Sequence, residues 1–518
     1  MSDGPKRATA GVMVGGAAVA VLGKIGYAIL TYANLALAAR LLGTTNFGFY
    51  SVAITTVASL ATVSIFGAER TILAVVPKHL ASSPDHARGI LTWITRRTWA
   101  LSCVLAAALV LGASSIARAM GEPGGAPFFV TIGLALPFVS TVRVTKVGGQ
   151  VLRAFVAAIM TSQLLQAAVL QILLLIGLVA GGFAPETVAL CYTGSFVITA
   201  AVAVRDLSRR KPFGQKWLTG RAKRGSDVGR LSVRFAAIDL CTNLQTSVVV
   251  YVLASVLAPD AVAFFHAAQR TANLSSFILV GVNFVISPLI AGLWEKQQRE
   301  ELSRIYQRGT KWSLAISMVA CLVILAAAPG ILSVFGREFV AAVPALVVLT
   351  LGQLVNAAVG PVAYLLMMTG EERSVLAVRG GATVVTGILT AVVAPRFGVT
   401  GAAVVLALSM AGTNGLLLVT VASRMGLQPY SMETLRVLGA GGIGAVAAVV
   451  IYPISWPAVG GSTFWGTVMA ACFVLITSVV ALLVVALNEE DRAFLVRLRG
   501  RFARSDGSGS KSSRVIDE

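Results

Sequence analysis

The residues of this sequence that are best suited to a chemical role are charged side chains inside long apolar stretches. Lys24, Asp239 and Arg270 are each flanked by apolar residues, and Glu69 and Arg70 form an adjacent pair near the end of another such stretch. A charge at the centre of a bilayer costs about 2.5–3.5 kcal/mol on insertion scales, so such residues usually line a cavity or find a partner. They predict binding or ion coupling rather than bond-making chemistry.

Neutral polar residues accompany these charges at helical spacing. Tyr27, Thr31 and Asn34 follow Lys24 at steps of three, four and three residues, which places all four on one helix face. The same periodicity gives further polar faces in later stretches, so we expect one shared cavity. The predicted substrate-binding residues are Lys24, Tyr27, Thr31, Asn34, Asp239, Thr242, His266, Arg270, Asn273, Gln353 and Asn356.

Three of the charged residues have a second predicted role. Asp239, Glu69 and Arg70 could form a gate or couple an ion, and Glu69 and Arg70 could instead pair with neighbouring loops. Lys24 and Asp239 could pair with each other in one conformational state. Single Asn, Gln and Thr residues inside membrane helices have a structural alternative, because they commonly form hydrogen bonds between helices.

The composition is that of a membrane protein. Of the 518 residues 56% are hydrophobic and 12% are charged, whereas about 25% are charged in an average soluble protein. Apolar runs long enough to cross a bilayer as helices recur along the whole length. The sequence therefore predicts an all-α polytopic membrane protein with fourteen transmembrane helices. The predicted spans are 10–39, 47–76, 98–117, 125–143, 153–181, 187–204, 233–257, 261–292, 312–335, 340–369, 375–394, 399–423, 436–456 and 464–488.

The distribution of Lys and Arg predicts the orientation. An even number of spans places both termini on one side. If that side is the cytoplasm, 35 of the 42 basic residues lie in cytoplasmic segments or at the cytoplasmic edges of spans, four lie outside and three (Lys24, Arg70 and Arg270) lie within spans. This asymmetry follows the positive-inside rule. The net charge of +20 is thus explained by topology and attraction to membrane lipid, and binding to nucleic acid is not expected.

A repeat of 215 residues divides the chain into two halves. The segment that starts at Leu41 resembles the segment that starts at Val256, and the shift places Lys24 on Asp239. Six spans separate the copies, so the halves share their orientation, as in transporters whose repeats are related by an axis along the membrane normal. We predict two pseudo-symmetric six-helix lobes, 1–204 and 233–425, joined by a basic cytoplasmic linker, 205–232. Two further helices follow in 426–488, and 489–518 form a disordered cytoplasmic tail.

Motifs for catalysis, cofactors and metals are not found. The chain has no Walker A motif, no HExxH and no GxSxG, and its five cysteines are scattered. We therefore expect a protein that is not an enzyme and has neither a cofactor nor a metal site.

Several segments resemble the polysaccharide and O-antigen flippases of the multidrug/oligosaccharidyl-lipid/polysaccharide exporter superfamily. They are ARLLGTTNFGFYSVAITTVASL, FGAERTILAVVP, FFHAAQRTANLSSFILVGVNFVISPLIAGL and RFGVTGAAVVLALS. The resemblance implies alternating access and transport of undecaprenyl-pyrophosphate-linked oligosaccharide units across the bacterial cytoplasmic membrane, for surface or exopolysaccharide (lipopolysaccharide) biosynthesis. It also implies a cationic cavity, to which Lys24 and Arg270 fit. Asp239 departs from a purely cationic cavity and could couple H⁺ or Na⁺.

Alternative functions remain open at this stage. A peptidoglycan-precursor flippase and a cation-coupled multidrug antiporter belong to the same superfamily, and a membrane-embedded polymerase or glycosyltransferase is disfavoured by the short outer loops. Polysaccharide polymerase and export proteins are candidate partners of the leading function.

Overall fold

A computed structural model describes residues 4–152, 154–180, 184–210, 228–276, 286, 289–290, 292–455 and 464–486. Every regular element in these ranges is helical. The helices are α1 (Gly4–Ile65), α2 (Ala68–Ser82), α3 (Pro84–Ala119), α4 (Ala126–Gly133), α5 (Leu136–Val151), α6 (Phe155–Ile159), α7 (Leu165–Val179), α8 (Pro185–Arg209), α9 (Val228–Val256), α10 (Pro259–Asn273), α11 (Arg299–Ala326), α12 (Ala328–Ser333), α13 (Val343–Val359), α14 (Val362–Met368), α15 (Glu372–Met425), α16 (Met432–Ser455) and α17 (Phe464–Ala481). The central part of the predicted linker, the predicted tail and the side chain of Lys24 lie outside the described residues.

Two of the long helices each contain two membrane spans that meet at a glycine. Gly43 in α1 has φ 72° and ψ 179°, and Gly398 in α15 has φ 59° and ψ −148°. A Cβ at either position would meet no atom within 4 Å, so the glycine is required by the backbone conformation and not by space. At each of these residues one span ends and the next begins without an intervening loop.

The number of spans agrees with the fourteen that the sequence predicts. In the described part of the chain, 11 helical stretches are long and apolar enough to cross a membrane. The stretches with Gly43 and Gly398 each hold two spans, and α10 begins the predicted eighth span, whose remainder lies largely outside the described residues. Two of the connections between predicted spans are largely helical: most of 77–97 belongs to α2 and α3, and 299–311 belongs to α11. Hydropathy detects the apolar part of a helix, and these helices continue with polar turns beyond it.

The helices form two lobes and a C-terminal pair. Within the first lobe α3 packs against α4 and α5, and α8 packs against α5 and α7, while α9, α13 and α15 pack together in the second lobe. Helix α1 contacts α9 and α10, and α2 contacts α9, so the lobes meet along spans 1, 2, 7 and 8. The residue boundaries of the lobes stay a prediction.

The buried apolar residues show how the lobes are held together. One cluster lies within the first lobe around Ile72 and Ile90, and another lies within the second lobe around Tyr306 and Leu366. The largest cluster crosses from one lobe to the other and includes Phe47, Phe49, Phe265, Phe335 and Phe339, all nearly inaccessible to solvent. This cluster lies at the end of the helices where α1 turns at Gly43, which we call the Gly43 end.

Spans 13 and 14 are attached to span 9 by close packing and by an ion pair. A Cβ at Gly441 would lie 1.8 Å from Met318 Sδ, and one at Gly444 would lie 2.5 Å from Ser478 Oγ. Lys311 Nζ of span 9, which is only 3% exposed, lies 2.7 Å from Glu433 Oε2 of span 13. Small residues allow this close approach of membrane helices.

Candidate functional site: an inter-lobe chamber and its two closed ends

Arg270 marks a chamber between the lobes. Its residue surface is exposed although its charged group has neighbours in both lobes, so it borders a space between them. Arg270 Nε donates to His266 Nε2 at 3.3 Å. Tyr27 of span 1 and Tyr192 of span 6 interact electrostatically with the guanidinium, so both lobes contribute to its surroundings.

His266 supports Arg270 from the preceding helical turn. The imidazole is 1% exposed and its ring lies edge-on to Phe47 of the other lobe, with a centroid separation of 6.1 Å. Since Nε2 accepts a hydrogen bond, the proton of a neutral imidazole resides on Nδ1. That atom has no hydrogen-bond partner among the described residues. His266 thus holds the guanidinium in place without adding a charge.

A relay of amide side chains extends from Arg270's helix across the second lobe. Asn414 Nδ2 donates to Asn356 Oδ1 at 2.9 Å, and Asn356 Nδ2 donates to Gln353 Oε1 at 3.4 Å. Gln353 Nε2 in turn donates to Asn273 Oδ1 at 2.8 Å. The relay joins spans 12, 10 and 8, and it brings together three of the predicted residues with Asn414, which the sequence reasoning missed.

The polar residues of span 1 do not all face the same neighbours. Tyr27 lies near Arg270, whereas Asn34 is 4% exposed and donates to the carbonyl of Ala167 in span 5 at 2.8 Å. Thr31 Oγ1 is buried and has no partner in the described part of the chain. Tyr32, which was not predicted, hydrogen-bonds Thr271 of span 8 at 3.0 Å. Asn34 therefore has the contacts of a helix–helix hydrogen bond, and its role in binding stays a prediction.

A second network that the sequence reasoning missed joins spans 2 and 7. Ser59 Oγ donates to Asn243 Oδ1 at 2.8 Å, and Tyr251 donates its hydroxyl proton to Ser59 Oγ at 2.8 Å. Polar side chains commonly form hydrogen bonds between membrane helices, so nothing in the sequence distinguishes these residues from others of their type.

The Gly43 end of the chamber is closed by direct contacts between the lobes. Thr45 Oγ1 donates to Asp260 Oδ1 at 2.8 Å, and a Cβ at Gly48 would lie 2.2 Å from the carbonyl oxygen of Pro259. Arg40 Nε donates to the carbonyl of Val334 at 2.7 Å, beside the C-terminus of α12, where the helix dipole favours a cation.

The opposite end, which we call the Glu69 end, is closed by charged residues from four helices. Arg70 Nη2 of the first lobe lies 2.9 Å from Asp239 Oδ1 of the second. Glu69 accepts from Arg143 Nε at 3.0 Å and lies 3.6 Å from Lys146 Nζ. We define the gate cluster as these five residues and Arg379, whose Nη1 donates to Thr242 Oγ1 at 2.9 Å.

The backbone is also tight at this end. Gly67 has φ 71°, and a Cβ added to it would lie 2.4 Å from the carbonyl oxygen of Ser232 in span 7. Thr71 Oγ1 lies 3.2 Å from Ser232 Oγ. Direct contacts between the lobes are thus present at both ends of the chamber in the described part of the structure.

The gate cluster changes two of the predicted pairings. Asp239 has Arg70 as its partner here, and its pairing with Lys24 stays a prediction. Glu69 was expected to pair with a neighbouring loop or act in a gate; its partners here are Arg143 and Lys146 of α5, and its role in a gate stays a prediction. Arg379, which the count of basic residues assigned to the cytoplasmic side, lies inside the protein against span 7.

The arrangement suits binding and conformational change rather than bond chemistry. The described residues include no group of three His, Cys, Asp or Glu side chains that could hold a metal ion. The chamber presents one guanidinium, two phenols and a series of amides. Such groups replace the hydration of a polar anion by charge-assisted and neutral hydrogen bonds.

Comparisons with known proteins agree with this architecture. The family model "Polysaccharide biosynthesis protein" matches residues 13–294, a little over half of the chain, and the MatE model matches residues 236–393. The comparison with curated proteins gives no match.

Solved structures share the fold at low sequence identity. The lipid II flippase MurJ in an inward closed conformation has a TM-score of 0.70 at 12% identity, covering 89% of this chain and 97% of that one. An inward-facing multidrug resistance MATE family transporter has a TM-score of 0.64 at 15% identity, covering 78% and 98%. A MOP superfamily transporter from Pyrococcus furiosus, whose title describes a binding pocket of reverse polarity, has 0.61 at 13% identity, covering 79% and 94%.

Fourteen spans in two pseudo-symmetric lobes, a chamber between them and the match over residues 13–294 lead to one conclusion: this chain belongs to the polysaccharide biosynthesis protein family and has the fold of the MOP-superfamily transporters.

Proposed function

We propose that this protein is a flippase that moves undecaprenyl-pyrophosphate-linked oligosaccharide units across the bacterial cytoplasmic membrane by alternating access. The observation that carries the proposal is Arg270, a cation of the second lobe enclosed between that lobe and Tyr27 and Tyr192 of the first. A transporter needs such an enclosed site, and a pyrophosphate is a ligand that a guanidinium binds well.

The proposed mechanism requires two packings of the same lobes. A pyrophosphate and its sugars cannot enter hydrocarbon without replacement of their hydration. Arg270, the tyrosines and the amide relay supply that replacement, while the prenyl chain stays in lipid. Opening of the Glu69 end and of the Gly43 end in turn moves the head group across, provided that the ligand binds the two states with different free energies.

The proposed orientation places the Glu69 end and both termini in the cytoplasm. Its support is the positive-inside distribution of Lys and Arg, which leaves only four basic residues on the opposite side. The substrate would then load at the Glu69 end and leave at the Gly43 end. Coupling to H⁺ or Na⁺ through Asp239 stays a prediction.

The test replaces Arg270 in a bacterial strain that lacks the chromosomal copy. We expect Arg270→Ala to lower surface polysaccharide to the level of the deletion strain while lipid-linked oligosaccharide accumulates in the membrane. Arg270→Lys should restore export in part, because it keeps the charge and loses the bidentate geometry. Immunoblots of surface glycan and of the membrane fraction report export and insertion separately.

Arg118→Ala is the matched control. Arg118 is exposed, and its hydrogen bonds reach only Ser114 and Ser115 of its own helix. Its replacement should leave export unchanged. Normal export by correctly inserted Arg270→Ala protein contradicts the assignment of the chamber.

A second candidate is a flippase for the peptidoglycan precursor. The overall similarity to MurJ favours it, because the match extends over 97% of that flippase. Depletion of this protein separates the two candidates. Cell lysis with accumulation of lipid II supports the second, and viable cells without surface polysaccharide support the first.

A further inference from the structure

We propose that Arg379 and Arg70 form an anion-binding site at the Glu69 end, where a pyrophosphate head group loads before it reaches Arg270 and releases the Arg70–Asp239 contact as it binds. The proposal rests on the proposed function for its direction of transport. The binding site itself is argued from the gate cluster alone.

The gate cluster carries an excess of positive charge. Its four cations, Arg70, Arg143, Lys146 and Arg379, face the two carboxylates of Glu69 and Asp239, so two positive charges are in excess. Arg143 and Lys146 are both occupied by Glu69 within the first lobe. One excess charge therefore remains on Arg143 and Lys146, which share Glu69, and the other on Arg70 and Arg379, of which only Arg70 pairs with Asp239 among the described residues.

Among the described residues, Arg379 has no carboxylate partner. Its hydrogen bond is to the neutral hydroxyl of Thr242, and its Nε is buried without a partner among the described residues. Arg70 interacts electrostatically with Arg379, and these like charges repel each other. A partly buried guanidinium with a buried, unused Nε donor beside a second guanidinium is a site that an anion would stabilise.

Arg70 can exchange Asp239 for a bound pyrophosphate. The Arg70–Asp239 pair is partly exposed, with 33% and 22% of the two side chains accessible. The other terminal nitrogen of Arg70, Nη1, donates to the thioether of Met367 at 3.5 Å. Partly exposed pairs contribute little net stability. A pyrophosphate carries more charge than one carboxylate and accepts from both arginines, so it competes with Asp239 for Arg70.

The consequence is a gate that its own substrate opens. Asp239 stands on the second lobe and Arg70 on the first, so loss of their contact removes an ion pair that joins the lobes at this end. An anion held by Arg379 stays with the second lobe, on which Thr242 and Arg270 also stand.

The test measures anion binding to purified full-length protein in phosphatidylcholine nanodiscs by isothermal titration calorimetry. The probes are inorganic pyrophosphate and geranyl pyrophosphate, which separate a free anion from a prenyl-linked head group. We expect both to bind the wild-type protein, and Arg379→Gln to weaken their binding at least tenfold. Arg379→Lys should recover part of the affinity, which also guards against a folding defect.

The matched control is Arg373→Gln, an exposed arginine on the same helix, for which binding should stay within twofold of wild type. Spin labels at Arg205→Cys and Ser423→Cys, two exposed positions at the Glu69 end on opposite lobes, report opening in a background whose native cysteines are replaced. Pyrophosphate should lengthen their distance in wild type and leave it unchanged in Arg379→Gln.

The outcomes separate this site from the proposed function. Unchanged pyrophosphate affinity in Arg379→Gln overturns the site. If phosphatidylglycerol in the nanodiscs abolishes pyrophosphate binding, the site binds ordinary lipid head groups, and the proposal is overturned as well. Normal export by Arg270→Ala overturns the proposed function and leaves this binding result standing.

Discussion

Thr45 and Asp260 are 215 residues apart in the chain and share a hydrogen bond of 2.8 Å. This separation is also the shift that relates the two halves of the sequence. Residues that a two-fold axis exchanges can touch each other only where they lie close to that axis, as in any two-fold interface. The bond therefore locates the pseudo-symmetry axis between the lobes at the Gly43 end.

Replacement of Thr45 by Val tests the importance of this axial contact. Hydrogen bonds to charged groups contribute about 1.5–3 kcal/mol, and the variant leaves Asp260 without its donor. We expect a lower melting temperature of the purified protein and easier opening at the Gly43 end. Thr420→Val is the control, since the Thr420 hydroxyl bonds only the carbonyl of Leu416 in its own helix. Equal melting temperatures for the two variants would contradict the prediction.

Gly48 offers a second test of closure at this end. Gly48→Ala places a Cβ against the carbonyl oxygen of Pro259, a backbone atom that cannot move aside without shifting its helix. Overpacking of this kind costs about 1–3 kcal/mol. Because the clash arises only when the Gly43 end is closed, it destabilises that state alone. We expect correctly inserted protein with reduced export of polysaccharide.

Gly112→Ala is the control for Gly48→Ala. A Cβ at Gly112 meets nothing within 4 Å, and alanine is the better helix former. Export should equal that of wild type. If Gly48→Ala exports as well as Gly112→Ala does, the close approach of Gly48 and Pro259 is not needed for transport.

A charge exchange tests the ion pair at the Glu69 end. Arg70→Asp and Asp239→Arg each place like charges opposite one another, and we expect both to lose export. The double variant restores opposite charges and keeps the total charge of the gate cluster, so export should recover. Coupling between contacting residues is commonly about 0.5–3 kcal/mol.

The corresponding exchange at Asp206 and Arg210 serves as its control. That pair lies four residues apart within one helix, with an Nε–Oδ2 distance of 2.8 Å, and does not join the lobes. Its single and double variants should export normally. A double variant at Arg70 and Asp239 that is no better than the poorer single variant would mean that the contact has no role in gating.

The spans and the lobes could be predicted from the sequence because their causes are local or repeated. Whether an apolar run spans the membrane depends on about twenty consecutive residues. The 215-residue repeat then indicates how the halves are arranged. Gly43 and Gly398 show the limit: both were placed between spans, yet nothing local indicated that two spans would join at a single residue.

The partners of the charged residues could not be predicted in the same way. Glu69 binds Arg143 and Lys146 of span 4, and Arg70 binds Asp239 of span 7. These pairings depend on which helix faces meet, which is set by packing over long chain separations. Tyr192 was missed for the same reason, since only its position beside Arg270 distinguishes it from other tyrosines.

The amide relay provides the last prediction. Gln353→Leu removes both the donor to Asn273 Oδ1 and the acceptor of Asn356 Nδ2 while keeping a side chain of similar size. Each buried polar group left without a partner costs about 1–3 kcal/mol. We expect a clearly lower melting temperature and reduced export.

Gln307→Leu is the control for Gln353→Leu. Gln307 is a glutamine of span 9 whose single hydrogen bond to the carbonyl of Gln428 is exposed, at 3.3 Å, so water can replace it. Its melting temperature should stay near that of wild type. Should Gln353→Leu lose export but keep the wild-type melting temperature, the amide contacts the substrate rather than stabilising the lobe. If neither quantity changes, the relay has no role in transport or in stability, and Arg270 alone must account for recognition in the second lobe.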